Sequence, residues 1–246
     1  MCVNHVTSSL LPVVSGVPQG SILGPLLSLV FINDLPLSVS SSHLLLFADD
    51  TKCLKQINEM EDCSALQQDL HNLTLWSDSW NLPFNESKCI LLRFSSRPID
   101  PSLKQTYYVN NCPVATKTHH KDLGIIMSTD LSWRNHYDYL LSKAYKTLGL
   151  LRRTLARSMS IHTKKVLYYS LIRSMLTYCS PIWHPQHLKD IQSIENVQRR
   201  ATKFILHDYI SCYKSRLLTL RMLPLMMQLE MNDIMFFITS IKNPTE

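Results

Sequence analysis

A chain of 246 residues, 45% hydrophobic and 18% charged, is long enough for one large or two small domains with a real core, which excludes wholesale disorder. Its net charge of +6 is unevenly placed: residues 1–133 hold 8 Lys/Arg against 12 Asp/Glu, residues 134–221 hold 16 against 4, and residues 222–246 hold 1 against 3. An acidic half able to bind cations therefore precedes a basic half suited to a polyanion. The seven cysteines form no CxxC pair, which points to reduced, mostly buried thiols in an intracellular protein of the nucleus or cytoplasm. No basic region followed by an apolar run marks a secretory signal. The longest apolar stretch, "ILGPLLSLVFI" (22–32), is well short of the ~20 residues of a membrane span, so no membrane partner is expected.

In chain order, "VTSSLLPVVSG" (6–16) reads as an extended edge or hairpin. "GVPQGSILGP" is a glycine- and proline-punctuated loop, and "LLSLVFINDL" after it can open a buried helix. "LLLFA" (44–48) is a buried strand, with "TKCLKQI" alternating as its partner. Residues 61–80 form an amphipathic helix through Cys63, Leu66, Leu70, Leu73, Trp76 and Trp80, with Glu61 and Asp62 in the first turn. "KCILLRF" (88–94) and "DLGIIM" (122–127) read as strands, and "YYVNNCPV" (107–114) as a hairpin around "NN". From Trp133 the pattern turns helical. Leu140, Ala144, Leu148, Leu151 and Leu155 mark one helix; Val166/Leu167, Leu171, Met175 and Tyr178 a second; Leu188, Ile191, Ile194, Val197, Ala201 and Phe204 a third. The expectation is an α+β fold with a mixed half (1–132) and a basic helical half (133–246).

The chemistry concentrates in two places. "LLLFADDTK" places Asp49 and Asp50 at the tip of a hairpin, and paired carboxylates at a fixed tip suit a hard cation such as Mg²⁺. A turn that uses Asp only for local hydrogen bonding is the alternative reading. In "SGVPQGSILGP" (15–25), Gly16 and Gly20 flank Val-Pro-Gln, so the backbone can approach a ligand closely with Gln19 as a polar probe. Cys179, His184 and His187 match no zinc spacing.

Six blocks in order carry a resemblance: "SGVPQGSILGPLL", "FINDLP", "LLFADDTK", "WNLPFNESKCILLRF", "LGIIMSTDLSWRNH" and "SPIWHP…IENVQRRATKFI". Over nearly its whole length the chain resembles the reverse transcriptases of non-long-terminal-repeat retrotransposons. That resemblance implies a partial polymerase palm, an antiparallel sheet with packed helices, followed by a thumb-like helical region. It implies an RNA template, a DNA primer and deoxynucleotide triphosphates as partners, with two Mg²⁺ ions as cofactor for in-line nucleotidyl transfer. Asp49 and Asp50 match the metal-binding carboxylates, with Asp49 the direct ligand, and Phe47 the aromatic near the primer end. Gly16, Pro18, Gln19 and Gly20 match the loop that touches template and nucleotide. Lys88 matches a lysine that protonates departing pyrophosphate, or is a solvated strand-end lysine. Leu123 and Gly124 match the hairpin that grips the primer. Arg152, Arg153, Arg157, Lys164, Lys165, Arg199, Arg200 and Lys203 are candidates for the nucleic-acid backbone, a subset of them being solvated helix faces.

The chain departs from the family in one respect that bears on activity. A third acid is expected on an earlier strand, yet 15 residues precede Gly16 and none is Asp or Glu. Ser28 and Asp122 also stand where the family has aromatic residues. Asp34 in "INDL" reads as a structural cap. The expectation is a fragment of a reverse transcriptase domain that is inactive alone; the alternative is a non-catalytic nucleic-acid-binding fragment or an inert retroelement relic.

Overall fold

The computed structural model describes Cys2–Val3, Val6–Thr7 and residues 20–156 and 158–242. Gly16, Pro18, Gln19 and Arg157 lie outside the described residues, as does most of the stretch read as an extended edge over 6–16. The chain is an α+β protein of two compact units, Met1–Leu91 with Arg97–Thr116, and Leu92–Ser96 with Lys117–Glu246.

The first unit opens with β1 (Cys2–Val3) and β2 (Val6–Thr7), paired antiparallel. Helix α1 (Leu23–Ile32) follows, then a 3-10 turn over Leu35–Ser38. Strands β3 (His43–Phe47) and β4 (Asp50–Leu54) make an antiparallel hairpin in which Leu45 faces Lys52 and Phe47 faces Asp50. Helix α2 (Met60–Ser79) begins with a capping box, because Glu59 and Asp62 satisfy each other's backbone N–H groups. Short strands complete the unit: β5 (Ile90–Leu91), the β6 (Tyr108–Val109) and β7 (Cys112–Pro113) hairpin, and β8 (Ala115–Thr116), which pairs parallel with β5. Asn110 and Asn111 both take positive φ at the β6–β7 turn, which is why "NN" makes a hairpin here.

The core of this unit is small. Leu35, Leu73 and Trp76 are buried together, with Ile32, Val39, Leu44, Leu46, Leu70 and Phe84 against them. Helix α1, expected to be buried, buries none of its residues, and Leu29 and Val30 are 63% and 69% exposed. It is apolar on every face, and the core beneath is too small to cover more than Ile32. The β3 strand is likewise buried on one side only: Leu44 and Leu46 face the core, while Leu45 and Phe47 are exposed. Among the described residues the strands remain separate two-stranded ladders and do not merge into one sheet.

The second unit starts with β9 (His119–Asp122) and β10 (Ile125–Ser128), an antiparallel hairpin where one strand was expected. Helix α3 (Arg134–Thr154) buries Leu140, Ala144, Leu148 and Leu151, as its spacing predicts. Helix α4 (Ile161–Tyr168) is capped by Ser160 and runs through a π-helical turn (Tyr169–Arg173) into α5 (Ser174–Thr177). The predicted stripe on this segment holds in part: Leu167 and Met175 pack against the core, but Val166, Leu171 and Tyr178 are exposed, and the fully buried residues are Tyr168, Ile172 and Leu176. The segment is apolar around much of its circumference, and the π turn resets the 3.6-residue register. Helices α6 (Ser180–Trp183), α7 (Leu188–Leu206), α8 (Tyr213–Leu220) and α9 (Leu225–Lys242) complete the unit.

A polar network runs through this larger core. Tyr168 and Arg173 both donate to Gln198 Oε1 at 2.9 Å, while Gln198 Nε2 donates to the Tyr213 hydroxyl at 3.0 Å and to the Leu223 carbonyl at 2.9 Å. Tyr213 donates in turn to Glu195, whose carboxylate also accepts the Leu225 and Met226 N–H groups at the start of α9. Burial, with the Glu195 charge beside it, pushes the Tyr213 phenol up. Each member is partnered, so the network ties α4, α7, α8 and α9 together without an orphaned group.

Cys53, Cys63, Cys89, Cys112, Cys179 and Cys212 are free, but of these only Cys63 is buried. The expectation of mostly buried thiols fails because Cys112, Cys179 and Cys212 fall at turns and helix starts, which lie at the surface. No described helix is long and apolar enough to cross a membrane.

Candidate carboxylate tip and nucleic-acid interface

The β3–β4 hairpin closes through Ala48 and Asp49, and Ala48 adopts a left-handed φ of 52° that sharpens the turn. Asp49 thus occupies the turn and Asp50 begins β4, and both are solvent-exposed. The two adjacent acids escape the cost of burial by sitting at the tip. Phe47, in register with Asp50, is 60% exposed and offers its ring beside them.

The base of this hairpin is fixed by a residue that the sequence reading passed over. Asp69 of α2 is fully buried and accepts from the Ser40 and Ser41 N–H groups at 3.0 and 3.1 Å, and from the Ser41 and Ser42 hydroxyls at 2.6 and 2.7 Å. Burial alone would raise its pKa, but the donors of Ser40, Ser41 and Ser42 outweigh it and hold the carboxyl well below the usual range. The run "SSS" directly before an apolar strand was the available signal. Asp34 accepts the Trp76 indole N–H at 3.0 Å, so it links the 3-10 turn to α2 and its side chain caps nothing.

Two exposed carboxylates are hard oxygen donors, the type that suits Mg²⁺. Among the described residues, no group of three His, Cys, Asp or Glu side chains gathers to hold a metal. Lys88 is exposed at the end of the Glu86–Lys88 turn before β5, with no ion pair to either acid among the described residues. Gly20, the described member of its loop, is exposed with φ 82°, a conformation favouring glycine. Cys179 and the two histidines form no cluster: His184 pairs with Asp233 at 2.6 Å.

In the second unit, Leu123 (φ 44°) and Gly124 (φ 90°) form the two-residue turn between β9 and β10. The Tyr178 hydroxyl donates to the Leu123 carbonyl at 3.1 Å, and a Cβ on Gly124 would stand 3.3 Å from the Tyr178 ring. The turn is therefore held in a strained, fixed conformation by the end of the helix that follows α4.

The basic residues divide by role. Arg152 and Arg153 are exposed in the last turn of α3, where cations favour the helix C-terminus. Lys164 is buried with its ammonium 5.8 Å from the Phe204 ring centre, and Lys165 donates to the Leu220 carbonyl at 2.6 Å. These two lysines serve packing within the unit. Arg199 and Arg200 are exposed, stacked over the rings of Tyr213 (4.5 Å) and Tyr145 (4.8 Å). They share a recess of about 460 Å³ with Asn196, Lys203, Tyr209, Ser211 and Arg216. Asn196, Arg199, Arg200 and Lys203 recur at steps of three and four along α7, a spacing legible in "IENVQRRATK". The loop side of the recess, Tyr209 to Arg216, was not read from the sequence.

The reverse transcriptase (RNA-dependent DNA polymerase) family matches residues 2–140. The chain is 30% identical over 198 residues (75% of this chain, 21% of the relative) to a probable RNA-directed DNA polymerase from transposon X-element of Drosophila melanogaster. It is 29% identical over 222 residues (82% and 23%) to the RNA-directed DNA polymerase from mobile element jockey of the same species. To a retrovirus-related Pol polyprotein from type-1 retrotransposable element R1 of Bradysia coprophila it is 26% identical over 181 residues (70% and 17%). No solved structure matches it significantly. The chain spans about a fifth of the length of the curated relatives it matches. Matched over more than half its length, and through the hairpin that carries Asp49 and Asp50, this chain belongs to the reverse transcriptase family.

Proposed function

We propose that the chain supplies part of an RNA-directed DNA polymerase of a non-long-terminal-repeat retrotransposon: the carboxylate hairpin of the palm (1–132) and a basic helical thumb (133–246). Its partners are an RNA template, a DNA primer and deoxynucleotide triphosphates. The observation that carries this reading is the two-residue β3–β4 turn, which projects Asp49 and Asp50 into solvent beside the exposed Phe47 ring.

Asp49 and Asp50 would hold Mg²⁺ together with the nucleotide's phosphates. The chemistry such an ion supplies when bound is charge neutralisation at the transferring phosphoryl group and a more acidic primer hydroxyl. Phe47 stacks near the primer end, Lys88 delivers a proton to leaving pyrophosphate, and the Leu123–Gly124 turn grips the primer. Gly16, Pro18, Gln19 and Gly20 approach template and nucleotide through their backbone.

With two carboxylates at the tip and no metal-holding group of three among the described residues, the chain by itself binds nucleic acid without extending a primer. The experiment is primer extension by the full chain on an RNA template with Mg²⁺ and all four nucleotides. No product is expected. Extension that Asp49→Ala abolishes would show the carboxylate set complete and overturn the inactive reading.

A further inference from the structure

The recess on α7 has features that a solvated helix face lacks. Its cations come from more than one element: Arg199, Arg200 and Lys203 from α7, and Arg216 from α8. Arg216 is 3% exposed, its Nε donating to Thr202 Oγ1 at 3.2 Å and an Nη donating to the Ser211 carbonyl. Arg199 and Arg200 each sit over a tyrosine ring, at 4.5 and 4.8 Å from its centre, a cation–π contact that helps to position the guanidinium groups. No carboxylate lines the recess, and the four cations form no ion pair among the described residues. Two acids of the neighbouring segments are hydrogen-bonded to other groups, although the Asp208 charge also acts on Arg216. Glu195 accepts from Tyr213 and two backbone N–H groups, and Asp208 accepts the Ile210 and Ser211 N–H groups at 3.0 and 2.9 Å, folding the loop that forms the recess wall.

The Tyr209 ring on that wall is 54% exposed and is not covered by an arginine, unlike Tyr213. A polyanion with a flat, apolar face fits this combination. A duplex presents its phosphates on a convex cylinder with its bases stacked inside, and cannot place a base against Tyr209. An unpaired nucleotide can do both.

We propose that this recess binds an unpaired nucleotide of a nucleic-acid strand, with its phosphate on Arg199, Arg200 and Lys203 and its base stacked on Tyr209. The inference rests on the nucleic-acid reading given above and adds a single-strand site to it. At about 460 Å³ the recess falls within the size range of small-ligand sites, roughly 300–1,000 Å³.

The test is fluorescence anisotropy of a labelled mixed-sequence oligonucleotide of about 12 nucleotides, single-stranded or annealed to its complement, titrated with the full chain at several salt concentrations. The single strand is expected to bind more tightly than the duplex. Arg199→Gln/Arg200→Gln/Lys203→Gln, at two exposed positions and one half-buried one, should weaken it more than tenfold and reduce the salt slope by about 2, from about 0.7 per phosphate. Tyr209→Ala should weaken the single strand about tenfold and leave the duplex unchanged. Arg152→Gln/Arg153→Gln, outside the recess, should change affinity less than threefold. Parental affinity and slope in the triple variant, or an equal loss for duplex and single strand in Tyr209→Ala, overturn the proposal. Displacement of the strand by micromolar adenosine monophosphate would show a free-nucleotide site and overturn the strand assignment. If the unmodified chain binds no oligonucleotide at low salt, the nucleic-acid reading itself fails; if it binds and the triple variant binds equally, only the recess fails.

Discussion

The two units of this chain bury their apolar residues very differently. In the second, Trp183, Tyr168, Ile172, Leu176, Val197 and Ile205 are almost wholly enclosed, and the Tyr168, Arg173 and Gln198 side chains among them are partnered. In the first, three buried residues form the central cluster, while α1 and one face of β3 leave leucines, a valine and a phenylalanine in solvent. The candidate groups follow the same division. The carboxylates project from the lightly packed unit on a hairpin anchored at its base by Asp69, and the basic recess is built on the well-packed one. A precise polyanion site needs a rigid support, and the Gln198 network directly beneath Arg199 supplies it.

That contrast makes unequal demands on substitution. Trp183→Ala in the second unit should be the most destabilising, by about 3–5 kcal/mol, since the ring is fully buried and its indole N–H donates to the Tyr178 carbonyl. Gln198→Leu should cost about 2–3 kcal/mol, because it removes the acceptor of the buried Tyr168 hydroxyl and the 2.9 Å partner of Arg173. Urea denaturation followed by circular dichroism measures both. A loss under 1 kcal/mol for either would place the organising core elsewhere.

Two titrating groups sharpen the comparison by pH. Asp69 has a lowered folded pKa, so its contribution is complete above the ordinary aspartate value and is lost as pH falls below it. Asp69→Asn should lower stability near neutral pH by about 1.5–3 kcal/mol and flatten the acid limb of the first unit. In the second unit, burial pushes His136 down from 6.5 to about 4. The unfolded chain then binds the extra proton first, so stability should fall as pH drops from about 6.5 to about 4. A His136→Gln variant whose stability keeps the same slope across that window would contradict the assignment. The smallest effect is expected on α1: Leu29→Ser should stay within about 0.5 kcal/mol, because that side chain is already in water.

Which parts were legible in the sequence follows from how local their causes are. The β3–β4 turn, the "NN" hairpin, α2 and α3 were readable because turn chemistry, capping and one-sided periodicity all act within a few residues. The α4 stripe was only partly legible because several faces are apolar and the π turn shifts the register, which only packing reveals. Helix α1 carried a strong apolar signal, yet the surface that would cover it is not among its described neighbours. Asp69 and Arg216 escaped notice because their partners lie far along the chain or in a loop whose shape depends on Asp208. The basic pattern on α7 showed the outward cations, whereas nothing local to α4 showed that Lys164 turns inward.

In the proposed reading, nucleic acid is held by the basic second unit, and the carboxylate tip is not required for holding it. The most direct measurement is the affinity of the full chain for an RNA template annealed to a DNA primer with a single-stranded overhang, for Asp49→Ala and for Arg199→Glu/Arg200→Glu. The account predicts an unchanged dissociation constant for Asp49→Ala and a loss of about a hundredfold or more for the charge reversal at low salt. Equal affinity for the charge-reversed chain, or loss on removing Asp49 alone, would contradict it.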